Sequence, residues 1–235
     1  MDTQTRHALK KDKFAQATAT SVSWVSGHRS SVLRWAIAAV VVLALGIGGI
    51  VFWNLRTSAA DTALGAALDV YNAPLATPGA PPESGTYSTT ADRSRAANKL
   101  FVAVVEKYGW LPEGMKAHYF AGITYQELGQ TGSAESELKA ADGSWDHNLA
   151  NLAKVALAGV YHQTARDPQA TDLYNQIIAK PSVTVPASVA QLDLANLYVD
   201  DGKQDQARAL WAKVKDADKT GAAGTIASQK LTGKQ

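Results

Sequence analysis

Residues 194–214 read LANLYVDDGKQDQARALWAKV, and the placement of their apolar residues decides the fold. Leu194, Ala195 and Tyr198 lie on one face of a helix, as do Ala207, Trp211 and Val214, because apolar residues three and four positions apart meet on one side of a 3.6-residue period. Between the two runs stands Asp201-Gly202-Lys203, polar and centred on the residue that enters a left-handed turn at least cost. The stretch therefore predicts two amphipathic helices joined by a tight turn.

Working upstream, the same spacing occurs twice more. Leu157-Ala158 leads to Tyr161, Ala170, Tyr174 and Ile177, and Gly122 leads to Tyr125, Ala134, Leu138 and Ala141. Tyr125, Tyr161 and Tyr198 are 36 and 37 residues apart, about one helical hairpin. Gly129 and Gly202 each follow their tyrosine by four residues, whereas Ala165 holds that place in the middle copy and marks the turn expected to differ. A degenerate earlier copy has Leu64-Gly65 and Leu68 on its first helix and Ala97, Phe101 and Val104 on its second. Its two halves are separated by an insertion read as a loop at about 74–89, which holds Pro74, Pro78, Pro81 and Pro82. Residues 220–231 predict a closing helix that covers the apolar face left by the last copy. The pattern resembles the tetratricopeptide repeat, in which small residues let two helices approach while a larger one fills the space toward the next pair. The expected fold is all-α, an α-solenoid of helical hairpins with a C-terminal capping helix.

Farther upstream the character of the chain changes. Residues 35–53, WAIAAVVVLALGIGGIVFW, carry no charge and would extend about 29 Å as a helix, close to the hydrocarbon thickness of a bilayer. Trp35 and Trp53 mark the two ends with indoles, and Arg34 and Arg56 bracket them with charge. A buried core helix would keep a polar stripe, and a cleaved leader of some sixty residues would be too long, so a transmembrane helix at 35–55 is the expectation. The preceding tail, residues 1–34, has six basic and two acidic residues, which by the positive-inside rule places it in the cytoplasm. The domain at 56–235 then lies outside.

The whole chain of 235 residues has a formal charge of +2, but residues 57–235 hold 16 basic and 19 acidic residues, a charge of −3. That sign argues against nucleic acid as a partner. With no cysteine there is no disulfide, thiolate metal site or thiol nucleophile. His7, His28, His118, His147 and His162 are scattered without a metal-binding spacing, and Asp200 to Asp205 lack the calcium-loop pattern. Gly46-Ile47-Gly48-Gly49 lies inside the apolar span and so is no dinucleotide loop. Catalytic, metal and cofactor residues are all read as none, with no small-molecule substrate, and the chain is expected not to be an enzyme.

Repeat arrays of this kind act as surfaces. By register, the first helices should line a groove with Tyr119, Ile123 and Gln126, then Val155 and His162, then Leu192, Asn196 and Val199. The alternative is that several of these side chains pack between neighbouring hairpins. The set leans apolar and lacks the Lys, Asn and Arg that a groove for a chain-terminal carboxylate would place there, so an extended apolar or amphipathic polypeptide fits better. Ala44 and Gly48 form a small-xxx-small face able to contact another membrane helix.

The layout as a whole, with WAIAAVVVLALGIGGIVFWNLRTSAADTALGAALDVYNA at 35–73 and LANLYVDDGKQDQARALWAKV at 194–214, resembles the bacterial ancillary SecYEG translocon subunit family. The resemblance implies a single-pass protein of the inner membrane with a periplasmic domain. It also implies partners: the SecYEG translocon, periplasmic chaperones and unfolded secreted polypeptides. The alternative is a tetratricopeptide adaptor for another cell-envelope assembly complex.

Overall fold

Helical periodicity extends along nearly all of the computed structural model, which describes residues 29–77 and 85–233. Among these residues the elements are α1 (Arg29–Tyr71), α2 (Thr90–Tyr108), α3 (Pro112–Glu127), α4 (Thr131–Asp142), α5 (His147–Gln163), α6 (Asp167–Ala179), α7 (Ala187–Asp200), α8 (Gln204–Ala217) and α9 (Ala222–Thr232). No strand occurs among them, only an isolated bridge between Leu75 and Tyr87. The chain divides into two compact units, Met1–Leu55 and Arg56–Gln235.

In the first unit, α1 carries the apolar run. None of its most apolar window is buried: Trp35 is 77% exposed and Leu45 70%. A soluble helix that exposed apolar side chains on every face would gain nothing from folding, whereas in a bilayer the same surface is satisfied. By length and composition α1 is one candidate membrane-spanning helix near the N-terminus. α1 runs 43 residues without interruption, so Leu64 and Leu68 of the first copy follow the apolar run in the same helix. Residues 54–62 contain neither glycine nor proline to stop it. Most of the basic tail, residues 1–28, lies outside the described residues.

The second unit is built on a burial register that recurs in four helix pairs. On the first helices the buried positions are Ala60, Leu64 and Ala67 of α1, then Ala117, Ala121 and Thr124 of α3. They continue as Ala153, Leu157 and Val160 of α5, and Ala190, Leu194 and Leu197 of α7. Each set follows the same four-then-three spacing. The second helices bury Ala97, Phe101 and Val104, then Ala134, Leu138 and Ala141, then Ala170, Tyr174 and Ile177, then Ala207, Trp211 and Val214. From α2 onward every helix packs on the next in sequence, and α3 also touches α5 as α7 touches α9. The large residues supply most of the hydrophobic stabilisation, about 1.5–3 kcal/mol for each fully buried side chain, and the alanines let the helices approach.

Gly122 is the small residue of its pair for a steric reason. A Cβ there would sit 2.5 Å from Leu138 Cγ and 3.3 Å from the Ala134 carbonyl oxygen. Its counterpart Gly65 has nothing within 4 Å of the same position, so the first pair keeps the burial register without the close approach. Between that pair and α3, Tyr71, Phe101 and Phe120 pack as an aromatic cluster with ring centroids 5.2–6.1 Å apart. Asn98 Nδ2 donates to Thr124 Oγ1 at 2.9 Å, which satisfies a polar pair inside the core.

The three turns within pairs share one geometry. Gly129, Ala165 and Gly202 have φ of 72°, 57° and 73°. Gln130, Arg166 and Lys203 donate their backbone N–H to the carbonyls of Tyr125, Tyr161 and Tyr198 at 2.8, 2.8 and 2.7 Å. This is the Schellman arrangement that satisfies the last carbonyls of a helix. The middle turn, expected to differ because it lacks glycine, is the same, and Ala165 holds the left-handed conformation itself.

The insertion between α1 and α2 is tied at both ends. Ala76 N donates to the Tyr87 carbonyl at 2.8 Å, Tyr87 N to the Pro74 carbonyl at 3.2 Å, and Arg93 Nη1 to the Ala73 carbonyl at 3.1 Å. Its centre, residues 78–84, lies outside the described residues. At the other end α9 buries Ala227 against Ala195, Trp211 and Val214, and Gly224 against Asp218. The Asp218 carboxylate accepts from the N–H groups of Gly221 and Gly224 at 2.9 and 3.2 Å, which caps the first turn of α9.

Candidate functional site

The repeated register commits one face of each helix to the core and leaves α5, α7 and α9 to frame two adjoining clefts. The smaller, about 160 Å³, is lined by Gly159 and His162 of α5, Tyr174 of α6, and Asp193, Asn196, Leu197 and Asp200 of α7. The larger, about 570 Å³, is lined by Asn196, Val199 and Asp200 of α7, Gln204, Arg208 and Trp211 of α8, and Ile226, Gln229 and Lys230 of α9, with Gly233. Asn196 and Asp200 line both, so the two clefts form one groove along α7.

Three of the residues expected in a groove meet here: His162 and Asn196 in the smaller cleft, Asn196 and Val199 in the larger. Gln126 adjoins it, its Nε2 lying 3.3 Å from where a Cβ on Gly159 would sit. Tyr119 and Val155 are partly buried against the central core cluster, and Leu192 against the cluster beneath α9. Ile123 is half-buried on α3. Ala44 and Gly48 lie one turn apart on the exposed apolar part of α1, and a Cβ on Gly48 would meet nothing within 4 Å.

The electrostatics differ along the groove. Burial pushes the Asp193 carboxyl above the usual carboxylate range. The Tyr174 phenol is pushed up to about 12, first by burial and then by the Asp193 charge. No Lys or Arg lines that smaller cleft. In the larger one Arg208 and Lys230 are both exposed, and neither has an ion-pair or hydrogen-bond partner among the described residues. Trp211 is 6% exposed, with its indole Nε1 buried and without an acceptor there.

His162 joins the groove to the turns beside it. Its Nδ1 lies 2.7 Å from Asp167 Oδ1 and its Nε2 3.6 Å from Asp200 Oδ2, so the ring stands between the third and fourth pairs. Donor atoms of His162, Asp167 and Asp201 lie within 4.8 Å of one another. Lys203 Nζ donates to Asp201 Oδ2 at 2.8 Å and holds that carboxyl below its usual range, so an ammonium group already pairs with one of the two carboxylates. Sequence reading sees only a polar turn in Asp200 to Asp205, because His162 and Asp167 come from the preceding pair. It also misses Asp193, Arg208 and Lys230, which lie off the expected groove register or on other helices.

No protein-family model, curated protein or solved structure matches this chain.

Proposed function

We propose that the chain is a non-enzymatic, membrane-anchored interaction protein whose outer domain is a tetratricopeptide-like α-solenoid that receives polypeptide in the groove along α7. The observation that carries this reading is the burial register shared by four helix pairs, with a closing helix packed on the last. Such a stack leaves one side of its first helices free for a partner. The mixed lining of the groove, with apolar Val199 and Ile226 beside amide and charged side chains, suits an extended chain better than one rigid small molecule.

The resemblance in layout to the ancillary SecYEG subunits supports a place beside the translocon. The N-terminus would be cytoplasmic, the outer domain periplasmic, and the work that of a chaperone or scaffold for emerging secreted polypeptides and their chaperones. Photo-crosslinking in cells from a probe at Ala44 tests this directly. Translocon subunits among the adducts are the expected result. A single envelope protein unrelated to translocation would instead assign the chain as an adaptor of another complex.

A further inference from the structure

The groove reverses its charge from one end to the other. At the α5 end Asp193 is half-buried, no lysine or arginine lines the cleft, and burial alone raises its carboxyl. A carboxylate removed from water without a cation is held at a cost that an incoming ammonium or guanidinium group would relieve. At the α9 end Arg208 and Lys230 face a larger cleft, both unpaired among the described residues, in a domain whose formal charge is −3. Asp200 lines both clefts at their junction, its Oδ2 3.6 Å from His162 Nε2 on the α5 side. Asn196, exposed and common to both clefts, sits where a chain passing from one to the other would offer its backbone amide to a side-chain amide.

We propose that this groove selects an extended polypeptide segment that places a basic side chain beside Asp193 and an Asp or Glu side chain between Arg208 and Lys230. This rests on the polypeptide-binding reading above and adds a rule of selection to it. Apolar contact with Val199 and Ile226 would hold many chains weakly, and the two opposed charges would choose among them and set the direction in which a segment lies.

The test uses the full chain in phosphatidylcholine nanodiscs and dye-labelled decapeptides, acetylated and amidated so that only side chains carry charge. One Arg and one Glu are separated by three to six residues, and control peptides replace either or both by Gln. The bipolar peptide of the right spacing and order should bind about tenfold tighter than the doubly neutral one. Asp193→Asn should remove the gain from Arg and leave that from Glu, while Arg208→Gln with Lys230→Gln should do the reverse. Circular dichroism melts check that each variant is folded, and Asp200→Asn offers a second removal of acidic charge, at the junction of the two clefts. Equal affinity for charged and neutral peptides overturns this inference and leaves the polypeptide-binding reading standing. No affinity for any peptide overturns both.

Discussion

Ala165 carries a conformation that its two counterparts assign to glycine. With φ at 57°, its Cβ crowds the following carbonyl, a cost of about 1–2 kcal/mol for a left-handed L-residue. Ala165→Gly relieves that crowding but gives the unfolded chain more freedom, so the net gain in stability should be about 0.5–1 kcal/mol, read from urea midpoints. Gly202→Ala should lose about as much. A Gly202→Ala variant as stable as the parent would show that the turn does not need its left-handed residue. The glycines were legible in the sequence because turn chemistry is local. The strain at Ala165 was not, since the packing of α5 on α6 imposes that turn whatever residue stands there. The same limit applies to Gly65 and Gly122, which are equivalent in spacing yet only one of which meets a neighbouring helix.

Among the elements, the ion pair between the first two complete hairpins has a defined pH dependence. Arg166 donates to both oxygens of Glu135 at 3.2 and 2.6 Å and lies 4.4 Å from the Tyr161 ring centroid. Arg166 first, and Lys139 next, hold the Glu135 carboxyl down at about 2, against an ordinary 4.5. A lowered folded-state pKa means that the unfolded chain takes up the proton first. The stabilisation is therefore present in full above about pH 4.5 and is lost as pH falls through about 2. Urea midpoints measured across that window should fall more steeply for the parent than for Arg166→Met, and parallel curves would show the pair to be energetically silent.

The closing helix gives a second expectation at this scale. Removing residues 222–235 would uncover Trp211, Val214 and Ala195, with an expected loss of about 3 kcal/mol and a tendency to self-associate. Thermal melts and light scattering would check it. That helix was expected at 220–231 and is found at Ala222–Thr232, because small-residue periodicity and the end of the repeat both point to it. The continuity of α1 was legible only indirectly, through the lack of a breaker at 54–62 between an apolar run and an amphipathic one.

At the scale of the whole molecule, the all-α fold was readable because spacing repeats, but the groove was legible only in part. His162, Asn196 and Val199 share a helix register that the sequence exposes, whereas Asp193 enters the smaller cleft, and Arg208 and Lys230 meet at the larger one, only through the packing of α5 to α9. Charges brought together from different elements leave no mark in linear spacing. The absence of cysteine makes the topology easy to test. A membrane-impermeant maleimide added to spheroplasts should label Ser133→Cys and spare Ser21→Cys, and the opposite pattern would invert the orientation.

Whether the groove receives polypeptide is read most directly by photo-crosslinking in living cells from a probe at Asn196, the exposed residue common to both clefts, beside a control probe at exposed Lys213 on α8. Diverse polypeptide adducts from Asn196 and few from Lys213 are the expected result. Equal yields from both positions, or none from Asn196, would contradict a groove that receives polypeptide.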